Sequence, residues 1–196
     1  DKASDSFTDV QKAINYSMTS FFTTGGIRGG KKKMDKFYPR SFNMGIRKST
    51  YEALEGFSAM RFGEDIDFSI RLFKNGYKVC LFPSAWVYHK RRTDWRKFFR
   101  QVYNSGIARI NLYKKYPDSL KLVHLLPAVF TLGVFFFLVG SLFFTWSLLP
   151  LGLFSLLIFV DSSIQNKSLK IGFLSIIASF IQLIGYGLSL IHISEP

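Results

Sequence analysis

The last third of this sequence is almost free of charge, and that constrains the chain more than any motif in it. Beyond Lys121 the charged residues are Asp161, Lys167, Lys170 and Glu195, set in text dense in Leu, Phe and Ile. Such a composition belongs in a bilayer, which a helix of about 20 apolar residues crosses. The expected membrane region is 122–193, with segments at 122–146, 148–163 and 169–193. The middle segment is short enough to read as a second span or as a re-entrant one, so two or three helices are expected. Residues 194–196 are read as a ragged end.

The remainder is basic. Of the 26 Lys and Arg residues, 24 lie at or before Lys121, as do 11 of the 13 Asp and Glu residues, and the formal charge is +13. A 48% apolar content would suit a single soluble domain, but the charge distribution excludes that picture. Positive segments stay on the cytoplasmic side of a membrane and are drawn to anionic headgroups, so membrane lipids are expected partners and nucleic acid is not. Lys167 and Lys170, between the last two segments, fit the same rule. A single Cys80 rules out an internal disulfide framework. The chain starts at Asp1 with no signal peptide and reads as a fragment.

Periodicity divides the basic part. From Ser6 to Phe22, apolar residues Phe7, Val10, Ile14, Met18 and Phe21 recur at helical spacing. Gly25 to Lys33 reads as a loop. Phe42, Met44 and Ile46 alternate as on a half-buried strand over 38–46, and Tyr77 to Phe82 reads as another strand closed by Pro83. Ser49 and Glu52 have capping-box spacing for a short helix ending at Gly56. A second helix is expected from about Gly63 to Asn75. Thr93 to Tyr116 predicts a long basic helix carrying Trp95, Phe98, Phe99, Val102 and Ile110. Its setting just before the membrane region suits the headgroup plane, while packing of its apolar side on the soluble part stays open.

One cluster points to chemistry: Gly63-Glu64-Asp65-Ile66-Asp67, leading to Arg71-Leu72. Three carboxylates at a helix start are stabilised by the macrodipole and free N–H groups, and an acidic cap is all that this requires. The cluster is nevertheless a concentrated negative site in a basic neighbourhood. A carboxylate held within reach of a hydroxyl can take its proton as it attacks an electrophile, and Asp65 is the candidate base.

The ordered set Ser41-Phe42-Asn43-Met44-Gly45-Ile46-Arg47-Lys48, Gly56-Phe57, Gly63-Glu64-Asp65 through Arg71-Leu72, Asn75-Gly76-Tyr77, Pro83 to His89 and Phe98-Phe99-Arg100-Gln101 resembles the second half of glycosyltransferase family 2, over roughly residues 38–190. The resemblance implies an α/β fold, the C-terminal part of a GT-A glycosyltransferase domain in 1–92. An amphipathic helix and linker (93–121) and the all-α transmembrane region would follow. It implies inverting transfer from a nucleotide diphosphate-sugar donor to a saccharide or lipid-linked acceptor, in surface polysaccharide synthesis. The expected setting is the cell inner (plasma) membrane, multi-pass, with the catalytic part cytoplasmic.

By that resemblance Asp65 is the base, Glu64, Asp67 and Gly63 shape the acceptor site, and Arg91 and Arg92 neutralise the donor diphosphate. His89 would help to hold a divalent metal, Mg2+ or Mn2+. His89 also reads as a solvated loop residue, and the two arginines as membrane-surface charge. Trp86, Tyr88 and Trp95 could stack on sugar, with core packing favoured for Trp86. An upstream Asp-x-Asp nucleotide-binding half is missing from the sequence, so the fragment is expected to be inactive alone. The chief rival is a non-enzymatic membrane-anchored module binding anionic lipid or a protein partner.

Overall fold

The computed structural model describes residues 6–25, 37–82, 84–85 and 87–192. The loop expected after Gly25, together with Pro83, Trp86 and 194–196, lies outside the described residues in whole or in large part. Eight α-helices are described: α1 (Asp9–Thr19), α2 (Phe21–Thr24), α3 (Lys48–Ala53), α4 (Glu64–Lys74), α5 (Trp95–Lys115), α6 (Leu126–Gly140), α7 (Leu149–Asn166) and α8 (Leu169–Ile191).

The expected α/β class is overturned. Among the described residues there is no β-strand, only a single-residue bridge at Tyr88. Alternation of side chains makes a strand only where a neighbouring strand takes up the backbone donors and acceptors. Residues 38–46 find no such neighbour. Their run is broken by a 3-10 turn at Ser41–Asn43, closed by the Asn43 amide donating to the Arg40 carbonyl at 2.9 Å. Residues 77–82 form no ladder either, and with no sheet to bury them Leu81 stays 60% and Phe82 68% exposed.

The helices themselves follow local chemistry. Thr8 caps α1 reciprocally with Gln11, each binding the other's backbone amide. The helix stops at Ser20, whose extended backbone separates α1 from α2 and leaves Phe21 outside the buried stripe. The side chain of Asp94 caps α5 by accepting from the Lys97 amide at 2.8 Å. The Ser49–Glu52 capping box does not form, because α3 already starts at Lys48 and has no side-chain cap.

The core sits on α8, against which α1, α5, α6 and α7 all pack. Small residues make this possible: Gly172, Ser175, Ala178, Ser179, Gly185, Gly187 and Ser189 are its buried positions, beside Ile171, Leu183 and Leu190. A Cβ on Gly185 would lie 2.7 Å from Val102 of α5, and one on Gly172 would lie 2.9 Å from the Phe159 carbonyl of α7. Close backbone approach of this kind is how helices associate in lipid, where apolar side chains gain little from leaving their solvent. Ser162 and Ser175 join α7 to α8 by a hydroxyl–hydroxyl bond of 2.6 Å.

Ala13, Ile14 and Met18 of α1, Phe98 and Val102 of α5, and Ile171 and Ala178 of α8 form one buried cluster. The basic helix α5 therefore buries its apolar side against α8. On the far side, Phe130, Phe154 and Phe180 meet at centroid distances of 5.2 to 5.9 Å and join α6, α7 and α8.

The apolar third divides differently from the expected boundaries. Helix α6 has 15 residues, and a turn at 141–144 separates it from the 3-10 turn Thr145–Leu148 that leads into α7. The segments long and apolar enough to cross a membrane are Thr145–Asn166, with 22 residues, and Leu169–Ile191, with 23. Lys167, in the left-handed region at φ 50°, closes the turn between them.

Candidate active site

The acidic cluster is placed by a turn and an arginine. Glu55 and Gly56, both at positive φ, reverse the chain after α3. Tyr51, Phe57 and Phe68 then pack ring on ring at 5.2 to 5.7 Å and seat α4 on that turn. Arg71 fastens the arrangement. Its Nε donates to Asp67 at 3.0 Å, its Nη2 to the Gly56 carbonyl at 2.6 Å and its Nη1 to the Leu54 carbonyl. Gly63 starts α4 at φ 85°, a left-handed conformation that other residues adopt only with strain. A Cβ there would also lie 3.2 Å from Ala108 and 3.3 Å from Leu112 of α5. The glycine thus permits both the turn and the approach of α5.

The three carboxylates have different surroundings. Asp67 is fully buried, and its oxygens accept from Arg71, from Lys115 at 2.6 Å and from the Tyr116 hydroxyl at 3.0 Å. Burial pushes its pKa up, but the bonds from Lys115 and Tyr116 more than offset this and hold the carboxyl below its usual range. Lys115 is pushed up in turn by the hydrogen bond to Asp67. Asp67 is thus the anchor that ties α4 to the end of α5.

Asp65 is in a different state. Its side chain is 10% exposed, with one oxygen accepting from the Ile66 amide at 2.8 Å and the other paired with Arg40 at 3.3 Å. Glu64 is half-buried in the same first turn.

The segment 40–43 connects this turn to the His89 region. Arg40 reaches Asp65, Phe42 stacks on the His89 ring at 4.3 Å, and Asn43 donates to the Ala85 carbonyl at 3.4 Å. The arginines beyond His89 are held by α1 and α5. Arg91 lies against α1, its Nε donating to Asn15 at 3.0 Å and its carbonyl accepting from Gln11 at 2.9 Å. The exposed Arg92 donates to Gln101 of α5 at 3.0 Å.

For a divalent metal the donor set present does not fit. Among the described residues no group of three or more His, Cys, Asp or Glu side chains is placed to hold an ion. Burial and the charges of Arg91 and Arg92 lower the His89 pKa, so it offers one neutral imidazole beside two guanidinium groups that repel a cation.

Sequence spacing found the carboxylates and Arg71 but missed Arg40, Lys115, Tyr116, Gln11 and Asn15. Arg40 is 25 residues from Asp65, and Lys115 is 48 from Asp67. No periodicity links such positions.

The fold and site describe a helical protein with membrane-competent helices, built beside a basic surface holding one acidic helix start. The sequence belongs to the family described as "Glycosyl transferase family group 2", which matches residues 41–185. The Bacillus subtilis (strain 168) protein named "Probable glycosyltransferase YdaM" is 29% identical over 136 residues, covering 69% of this chain. The chain spans 31% of that relative's length. No solved structure matches it significantly.

Proposed function

We propose that this chain carries the acceptor-activating part of a membrane-associated glycosyltransferase, with Asp65 as the general base. In the reaction the acceptor hydroxyl attacks the anomeric carbon of a nucleotide diphosphate-sugar. The new C–O bond forms as the bond to the diphosphate oxygen breaks; the hydroxyl proton passes to Asp65 and the nucleoside diphosphate leaves. A single displacement of this kind inverts the anomeric configuration.

The observation that carries the assignment is the contrast within one helical turn. Asp67 has its oxygens committed to Arg71, Lys115 and Tyr116 and no exposure, whereas Asp65 accepts one bond on each oxygen, from the Ile66 amide and from Arg40, and its side chain keeps 10% exposure. A base must receive a proton from outside its own network, and Asp65 meets that requirement. Arg40 holds the carboxylate in place beside the 40–43 segment. Glu64, in the same turn, lines the acceptor side, and Gly63 shapes it by starting α4 in a left-handed conformation and admitting α5. Asp67 contributes by fixing α4.

Arg91 and Arg92 supply charge for the donor diphosphate, since guanidinium groups fork onto phosphate oxygens. A divalent metal on the diphosphate would need its other ligands from outside the described residues, and no step is assigned to one. Two helices long and apolar enough to cross a membrane support a reaction at a membrane surface, and the positive-inside rule favours the cytoplasmic side for the basic part. A saccharide or lipid-linked acceptor, and surface polysaccharide synthesis at the plasma membrane, fit that placement.

The test is Asp65→Asn in the full-length protein, assayed in membrane vesicles for sugar transfer. Loss of general-base catalysis is worth about 100-fold to 10,000-fold in rate. The expected result is a kcat reduced in that range with unchanged helicity by circular dichroism. Wild-type turnover by the variant refutes the assignment.

A further inference from the structure

We infer that α1 is a strut through which the α7–α8 hairpin sets the position of Arg91, and that Asn15 and Tyr16 are positioning residues for diphosphate binding. The inference rests on the proposed role of Arg91 and adds residues that lie before the 41–185 family match.

Two sets of contacts meet on this one 11-residue helix. Toward the hairpin, the Tyr16 hydroxyl donates to Asp161 of α7 at 2.6 Å, and Asp9 pairs with Lys170 of α8 at 2.8 Å. Ala13, Ile14 and Met18 are buried in the same cluster as Ile171 and Ala178. Toward Arg91, Gln11 donates to its backbone carbonyl and Asn15 accepts from its Nε. Gln11 is 3% exposed, and its amide oxygen accepts from the Thr8 backbone at 3.1 Å. Its amide is therefore fixed in the orientation that presents NH2 to Arg91.

The polar contacts of the two sets lie on different sides of the helix, while Ile14 and Met18 of the buried cluster flank Gln11. Gln11 and Asn15 are four residues apart on one face, while Asp9 and Tyr16 lie on a face about 120° round, at about 100° per residue. A helix fastened to the hairpin by the Tyr16–Asp161 bond, the Asp9–Lys170 pair and the buried cluster carries Gln11 and Asn15 to a fixed place.

Asp161 supports this reading independently. It is the one acidic residue in either membrane-competent helix, where ionisable groups are costly and kept for a reason. Its Oδ2 accepts from both Tyr16 and Gln165, the latter at 2.9 Å. Burial, and then the bond to Asp161, pushes the Tyr16 pKa up, so the phenol remains a donor across the physiological range.

The experiment measures binding of inorganic pyrophosphate, as a probe of the diphosphate site, to the full-length protein in lipid nanodiscs by calorimetry. Arg91→Gln is expected to weaken Kd about tenfold, as loss of one charge-assisted contact would. Asn15→Ala should approach that loss. Tyr16→Phe, which keeps the ring packing and removes only the hydroxyl, should weaken Kd about threefold. The Asn15→Ala and Arg91→Gln effects should not add, because both remove one guanidinium from its place.

In transfer assays the α1 variants should raise the KM for the sugar donor and leave kcat within twofold, which a merely structural lesion would not do. Wild-type pyrophosphate binding by Asn15→Ala and Tyr16→Phe overturns the strut, and so does wild-type binding by Arg91→Gln. Asp65→Asn should bind pyrophosphate normally, so a failure of the base assignment reads out separately.

Discussion

Removing the Asp67 carboxylate should destabilise the junction of α4 and α5 more than any other single change in the acidic cluster. The carboxylate is fully buried and accepts three charge-assisted or hydroxyl hydrogen bonds, from Arg71, Lys115 and Tyr116. Breaking a buried pair by deleting one partner costs about 3–5 kcal/mol when the other charge is stranded. Here the stranding is partial. Arg71 is 21% exposed and keeps the Leu54 and Gly56 carbonyls, and Lys115 is 44% exposed and can turn to water.

The lower end of the range therefore applies, about 3 kcal/mol for Asp67→Ala, and about 2 kcal/mol for Asp67→Asn, which keeps one acceptor oxygen. Thermal unfolding in detergent, followed by circular dichroism and by α5 accessibility, measures both. The pH dependence has a definite sign. Because the folded carboxyl lies below its ordinary value of 3.8, this stabilisation is present above that pH and is lost as pH falls through the depressed value. Lys115 is raised above its ordinary 10.5, so its share is present below that pH and is lost as pH rises through the raised value. An Asp67→Ala protein that melts with the wild type, and keeps its acid limb of stability, refutes the reasoning.

Single contacts support two other outcomes. A Cβ on Gly187 would overlap the Pro127 carbonyl of α6, whereas one on Gly152 would have nothing within 4 Å. Gly187→Ala should therefore cost about 1–3 kcal/mol in detergent unfolding, with Gly152→Ala neutral or mildly stabilising; equal effects would contradict the α6–α8 packing. The His89 imidazole should titrate below its ordinary 6.5 by NMR, through burial first and then Arg91 and Arg92, and Arg92→Gln should move the midpoint back up. An unshifted midpoint would place the ring away from both arginines.

The sequence by itself located the apolar third, the basic part, the helices near α1, α4 and α5, and the acidic turn from Gly63 to Asp67. Each is local: a run of apolar side chains, a 3.6-residue period, or charge at a helix start. The family was also legible, because ordered motifs survive in sequence whether or not their surroundings are present.

Alternation over 38–46 and 77–82 misled. A period of two shows which faces a strand would have, and only a neighbouring strand can make it one. Tertiary structure likewise gave the carboxylates their different surroundings. Glu64, Asp65 and Asp67 are equivalent acidic letters by spacing alone, until Arg71, Lys115 and Tyr116 surround one and Arg40 pairs with another. The same holds for α1, whose stripe foretold a buried helix. That it joins Asp161 to Arg91, across 145 and 76 residues of chain, is set by packing on α8 and by no local pattern.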